Sequence, residues 1–545
     1  MGGVEPSVTG RRRRASVGVV AAVAAVSLVV AGCGGGQAST GAGASDVAGF
    51  IPAGSPVYVE LSTDLGGAQW TQTVALAKRF PGYGDLIAEA TKSLASEKLD
   101  FQGQIKPLLG SSAALGVFDI TSLDSSAPQP SVVGAIDLAD GKEADFIKLT
   151  ETGKNPSKKV GQHDGVDLYG DGDMVYGIVD GTVVVSDTEA RVNRAIDAHR
   201  GGSSQTMAGS AKLAKTLAEL PDEVLAQGFV DVGSFLRIIG SSTDTTTFGA
   251  GGGKAAVDQL RKSGLGDDAA IGLSLSSEAD GIRIKAVATG IDNAVAGQAT
   301  PFTPKLVEHV PADAIAYVGL HNLFGMGEQA ITQIGGQDPE VKKALGQAGL
   351  ILPLLGINLD DLKGLTSLEH ALVVTKGAKT PGVVLALEVA DGAKAGAVLD
   401  TLSKTAPSLL EKSGAPKIPP FTKVALANGV SGWQSAISPD AGVVYGVDKN
   451  LALIGTLPEA VKQVQAPTSK LTDDPAYQVA TRQMPDTVSG LFWLNGEELL
   501  TALDALGALT DAPADVIANV RPLKNIVAWS TGGAKPTFEL FLTIK

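Results

Sequence analysis

The chain has 545 residues, of which 44% are hydrophobic, 19% charged and 5% aromatic, with one cysteine and a formal charge of −14. That balance excludes a wholly disordered chain, a collagen and a disulfide-stapled scaffold. The one basic cluster is Arg11 to Arg14, so an acidic chain of this kind repels phosphate backbones and no nucleic-acid partner is expected.

Those four arginines lead into the apolar run Ala15 to Val30, followed by Ala31, Gly32 and Cys33. A charged segment, an apolar segment and then small residues have the order of a secretory signal. The tetrad Val30-Ala31-Gly32-Cys33 resembles the bacterial lipobox. The resemblance implies that Val30, Ala31 and Gly32 are read by the lipoprotein signal peptidase and that the Cys33 thiol receives diacylglycerol. The sequence thus predicts a signal peptide over 1–32, a flexible Gly/Ala/Ser tether over 33–49, and anchoring to the outer face of the cytoplasmic membrane through Cys33. An uncleaved anchor over Ala15 to Gly32, 18 uncharged residues, is the competing reading, and it also leaves the bulk of the chain outside the cytoplasm. Removal of residues 1–32 leaves a charge of −17. With Cys33 acylated, no thiol remains for a disulfide, a nucleophile or a metal.

Downstream, the period of the apolar residues alternates between two and about 3.6. Pro56 to Leu61 reads as a strand, Thr71 to Phe80 and Asp85 to Leu99 as helices broken at Pro81-Gly82, and Ala113 to Ile120 and Val132 to Leu138 as strands. Lys142 to Thr150 reads as a helix, and short strands follow at Gly165 to Leu168, Met174 to Val179 and Thr182 to Ser186. Helices at Thr188 to His199 and Ala211 to Leu217 precede a closing pair of strands at Ala269 to Leu275 and Ile282 to Ala288.

The pattern is then written again. Ile51-Pro-Ala-Gly-Ser-Pro-Val-Tyr-Val-Glu-Leu61 returns as Val310-Pro-Ala-Asp-Ala-Ile-Ala-Tyr-Val-Gly-Leu320. Val132-Val133 through Asp140-Gly141 returns at Val383-Val384 through Asp391-Gly392, Val175-Tyr-Gly177 at Val444-Tyr-Gly446, and Ile282 to Ala288 at Phe538 to Ile544. Ordered matches of this kind predict two repeat units, 50–289 and 309–545, with a linker over 290–308. Consecutive strands between helices give the fold class: α+β, two duplicated units, each a mainly antiparallel sheet with packed helices.

The Ile51-Pro-Ala opening, Arg79-Phe-Pro-Gly82, Leu99-Asp-Phe101 through Ile105-Lys-Pro-Leu-Leu-Gly110, and Asp180-Gly-Thr-Val-Val-Val-Ser-Asp187 resemble the bacterial domain of unknown function 3352 family. The resemblance covers most of the chain after the signal. It implies no catalytic residue, because that family has no established activity. The second unit departs from it by lacking Arg-Phe-Pro-Gly.

Residues that carry chemistry are sparse. His163, His199, His309, His321 and His370 show neither metal-helix spacing nor matching positions in the two units, so no zinc is expected. Asp164, Asp167, Asp171, Asp173 and Asp180 form an acidic run in which Asp171 and Asp173 are the calcium candidates. The run lacks the fixed loop spacing of a calcium site, however, and Asp-Gly pairs between apolar strands are what tight hairpins use. Gly249 to Lys254 lacks the first glycine and the Ser/Thr of a phosphate loop, and neither Gly-x-Ser-x-Gly nor Ser-x-x-Lys occurs. Leu345, Leu350, Ile351, Leu352, Leu354 and Leu355 read as core before lipid cavity.

These readings give a non-enzymatic, lipid-anchored envelope protein without cofactor, contacting the membrane through Cys33 and binding an envelope protein or apolar ligand. The alternatives are a carrier of a lipid or other apolar molecule between membrane and wall, and an extracytoplasmic hydrolase with a converging carboxylate pair.

Overall fold

The computed structural model describes residues 45–120, 130–152, 155–241, 252–262, 264–291, 300–322, 359–377, 380–412, 419–438 and 441–545. Cys33, the three residues before it and Leu345 to Leu355 lie outside the described residues.

The chain divides into two compact units. The first takes the described parts of Met1–Thr71, Gly84–Thr121 and Ser125–Ala214, and the second takes Lys215–Lys545 with Gln72–Tyr83. In the first, β1 (Val57–Ser62), β2 (Leu109–Phe118), β3 (Ser131–Leu138), β4 (Lys158–His163), β5 (Val166–Gly170), β6 (Val175–Val179) and β7 (Thr182–Ser186) pair antiparallel in the order β1-β2-β3-β7-β6-β5-β4. The helix Glu189–Arg200 covers β3, β6 and β7 with Val192, Ala195 and Ile196, all buried. Two-residue turns close the β4–β5 and β6–β7 hairpins. Asp164-Gly165 and Asp180-Gly181 each take positive φ at both positions, which Asp and Gly tolerate and β-branched residues do not.

The second unit contains β8 (Ala226–Asp231), β9 (Leu265–Glu278), β10 (Gly281–Ile291), β11 (Ala316–His321), β12 (Glu369–Thr375), β13 (Gly382–Glu388), β14 (Thr422–Ala425), β15 (Ser431–Ser438), β16 (Ala441–Asp448), β17 (Leu451–Gly455), β18 (Gly490–Asn495), β19 (Leu523–Thr531) and β20 (Thr537–Ile544). They form one unbroken antiparallel ladder, β8-β9-β10-β20-β19-β18-β11-β12-β13-β17-β16-β15-β14. Its segment β11-β12-β13-β17-β16-β15-β14 has the same order as the ladder of the first unit.

This ladder overturns the expectation of two α+β units with a sheet each. β10, from the first expected unit, pairs with β20, from the second, over Gly281 to Val287. The sheet therefore continues from β10 to β20 instead of ending at β10. The cause is edge chemistry: each copy closes on an apolar strand, and a bare apolar edge presents unpaired N–H and C=O groups that a matching strand satisfies. The register makes the join nearly two-fold. Ile284 pairs with Leu540, which is its own counterpart in the repeat.

One face of the second unit's ladder is packed. Tyr317, Ala371, Val373, Val384, Ala386, Trp493, Val527, Trp529 and Phe541 form its core with Ala460, Val461 and Val464 of the helix Pro458–Gln465 and with Tyr477 and Ala480 of the helix Pro475–Ala480. Asp474 caps the latter helix, accepting the N–H groups of Ala476 and Tyr477 at 2.8 and 2.9 Å, with Pro475 at the first helical position. On the opposite face, among the described residues, the helix Gly392–Lys412 covers the β13, β16 and β17 end through a second cluster that includes Leu387, Tyr445, Ala452, Ala395 and Leu399, and Thr73 meets the buried Ser277 of β9 at 2.7 Å.

Candidate functional site: an open apolar sheet face

Side chains alternate across a strand, so residues paired across an antiparallel ladder share a face. Following the register of the second unit from β13 to β8 gives one row: Leu385, Leu372, Val318, Phe492, Ala528, Leu540, Ile284, Leu275 and Ala226. Every member is apolar. The neighbouring row, Val383, Val374, Ala316, Leu494, Ile526, Leu542 and Ile282, is apolar too.

These rows lie on the face opposite the core. Leu273, Ile284, Leu372, Val383 and Phe538 on this face are 39%, 39%, 43%, 37% and 44% exposed, and of the members of the two rows only Ala528 is buried. In the first unit the exposed Val59, Leu115 and Val132 occupy the positions that match Val318, Leu372 and Val383. An antiparallel sheet with one wet face normally alternates apolar with polar residues. Here both faces are apolar among the described residues, and an exposed apolar patch that crosses this many strands is the candidate site.

Beneath the centre of this face, on the packed side, lies a buried charge. Arg283 is 2% exposed, and its guanidinium stands 4.6 Å from the Phe541 ring centroid and 5.6 Å from that of Trp529. It donates to Glu278 at 2.6 Å and to Glu539 at 3.5 Å. Burial pushes the Glu539 carboxyl above the ordinary carboxylate range, against the pull of Lys285 and Arg283. A second buried carboxylate sits on β12. Glu369, 1% exposed, accepts the backbone N–H groups of Lys305 and Leu306 at 2.7 and 3.0 Å, and burial raises its carboxyl to about 7 despite those donors.

The two repeats supply this carboxylate from different strands. In the first unit Tyr58 donates to Glu60 on its own strand at 2.8 Å. The second has Gly319 at the matching position, where a Cβ would collide with the Tyr317 hydroxyl, and Glu369 on the adjacent strand lies beside Tyr317 instead. Sequence matching pairs Glu60 with Gly319 and so misses Glu369.

The residues singled out in the sequence fall elsewhere. Asp171 Oδ1 accepts the N–H groups of Asp173 and Met174 at 3.0 and 2.9 Å, closing the turn between β5 and β6. Asp164 faces Arg200 at 3.5 Å, Asp167 faces Lys159 at 2.7 Å, and Asp180 faces His199 at 3.1 Å. His199 also stacks on Phe50 at 3.9 Å, and His163 meets Asp197 at 2.6 Å. Burial pushes His309, His321 and His370 below the usual histidine range. Among the described residues no three His, Cys, Asp or Glu side chains are grouped to hold a metal ion, and no helix is long and apolar enough to cross a membrane.

Among the described residues, the antiparallel ladder of the second unit is packed on one side and largely open and apolar on the other. The chain belongs to the family described as Protein of unknown function (DUF3352), whose model matches residues 15–525. No curated protein matches it. Among solved structures it is similar to crystal form I of TP0453, with 9% identity and a TM-score of 0.26 over 46% of this chain and 80% of that one. Crystal form III of TP0453 gives 10% identity and a TM-score of 0.22 over 47% and 85%.

Proposed function

We propose that this protein is a non-catalytic, lipid-anchored binding protein of the cell envelope that receives an apolar molecule on the open face of its sheet. The observation that carries the reading is the unbroken apolar row from Leu372 to Ala226 on the side of the ladder that the described residues leave largely uncovered. Acyl chains suit such a surface, because they bury area without needing hydrogen bonds and the row offers none. The lipobox-like tetrad ending at Cys33 supports a position next to the membrane, where such molecules are found. The exposed apolar face also favours a second reading, an apolar protein partner in place of a lipid.

The test is purification of the protein in mild detergent from the membrane of its own host, followed by intact-mass and lipid-extract mass spectrometry. A mass carrying acylated Cys33 together with a stoichiometric co-purified lipid is expected. An acylated protein with a co-purifying polypeptide and no lipid gives the second reading, and an N-terminus retaining residues 1–32 overturns the lipoprotein assignment.

A further inference from the structure

At one end of β18 and β19, on the packed side of the ladder, the surface opens into a cleft of about 420 Å³ whose walls include Asp313, Asp474, Trp493, Glu497, Lys524 and Asn525. Trp493 pairs with Val527 and Asn525 with Asn495, so Trp493 and Asn525 are diagonal neighbours on one face. Each side chain is 1% exposed. The indole of Trp493 is held edge-on by Tyr477 at 5.4 Å, and the amide of Asn525 is fixed through its Oδ1, which accepts the Thr543 hydroxyl at 2.6 Å. Neither Trp493 Nε1 nor Asn525 Nδ2 has a hydrogen-bond partner in the protein. Two residues of the cleft wall thus carry buried N–H donors with no partner in the protein, whereas buried donors are ordinarily paired.

The rest of the wall selects the occupant. Asp313 and Glu497 present carboxylates there, as does Asp474 with the oxygen not used for capping. Glu498 lines the cleft as well, paired with Lys376 at 2.8 Å, and four carboxylates against Lys524, the single lining cation among the described residues, disfavour an anion. A bare cation would match the carboxylates but leave both N–H groups unanswered. A ligand that offers one strong acceptor at the inner wall and several hydroxyl donors at the rim satisfies both halves.

We infer that this cleft binds a saccharide, with an N-acetylated sugar as the best match. Its acetamido carbonyl has two lone pairs for Trp493 Nε1–H and Asn525 Nδ2–H, and its ring hydroxyls donate to Asp313, Asp474 and Glu497. The site lies on the other face of the ladder from Leu372, Phe538 and Ile284, so it goes beyond the apolar reading and does not depend on it.

The experiment uses the chain from residue 34 onward, labelled with 15N-tryptophan. Four tryptophans give four indole N–H resonances, and Trp493→Phe assigns the one at the cleft by its disappearance. Titration with N-acetylglucosamine and with N,N′-diacetylchitobiose is expected to shift that resonance alone, with saturation at millimolar or lower sugar, and glucose is expected to bind at least roughly tenfold more weakly. The surface variants Asp313→Asn and Glu497→Gln, which leave the inner wall intact, each weaken the shift by roughly threefold to tenfold. A resonance unmoved by either N-acetyl sugar, with only solvent exchange at the indole, assigns the donors to water and overturns the inference. An equal shift with acetate or with glucose overturns the N-acetyl selectivity. Loss of the sugar response in Ile284→Ser would show that the two faces are not independent.

Discussion

Arg283 and Glu539 stand at the same position of the repeated closing strand, one in each copy, and they meet across the β10–β20 join with guanidinium and carboxylate 3.5 Å apart. A two-fold join between identical strands would place like against like at this position. Here opposite charges meet, with Glu278 as a second acceptor at 2.6 Å and two aromatic rings around the cation.

Removing one partner of a buried pair strands the other. Arg283→Met is therefore expected to destabilise the second unit by about 3–5 kcal/mol, while the double variant Arg283→Met/Glu539→Leu recovers most of that loss. Urea melts of the four proteins in the cycle give the coupling. Additive losses would mean that the join is held by backbone pairing and apolar contacts alone.

Glu369 makes stability depend on pH. Its carboxyl titrates near 7 in the folded chain against 4.5 in the unfolded one, so the unfolded chain releases the proton first as pH rises. Stability is full below about pH 4.5 and falls through pH 7, by at most about 3 kcal/mol. Glu539, also raised by burial, adds loss of the same sign. Glu369→Gln should flatten most of the slope in melting temperature between pH 5 and pH 7.5, at roughly constant ionic strength. An unchanged slope would remove Glu369 as its source.

The open face should tolerate polarity. Ile284 and Phe538 are 39% and 44% exposed, so Ile284→Ser and Phe538→Ser are expected to change stability by less than about 1 kcal/mol while abolishing retention of the apolar ligand. The lipid-to-protein ratio after identical purification is the readout. Folded variants that keep a full complement of lipid would place the ligand elsewhere.

Gly181 takes φ +79° in the turn between β6 and β7. A Cβ meets strain there whatever the space, so Gly181→Ala should cost about 1 kcal/mol, and Asp180→Asn, which tolerates the same backbone, should cost less. Circular-dichroism melts distinguish the two.

Much of the architecture was legible because it is local. Asp180-Gly181 announces a two-residue hairpin, the shared Tyr58 and Tyr317 motifs fix corresponding strands, and the apolar period places the helix Glu189–Arg200 within a residue. The β10–β20 join was not legible, since nothing near Ile284 says that its partner is Leu540 rather than solvent. β8 escaped as well: Ala226–Asp231 is short, contains Gly228, and shows its role only once it pairs with β9. The open face was hidden for a related reason. Runs such as Val383 to Leu387 read as strands buried on both sides, and only the register and the uneven cover of helices reveal which half of each run faces water.

The position of β20 inside its ladder has a consequence for synthesis. The strands β8, β9 and β10 can pair among themselves as soon as they leave the ribosome, but β10 then has a free edge until residues 537–544 are made. Through that interval the β8-β9-β10 meander is a template awaiting one strand, exposed to any apolar strand of another copy. Completion of this ladder is accordingly gated by a segment made long after β10, and a ribosome that stalls before Thr537 releases a fragment with an unpaired apolar edge.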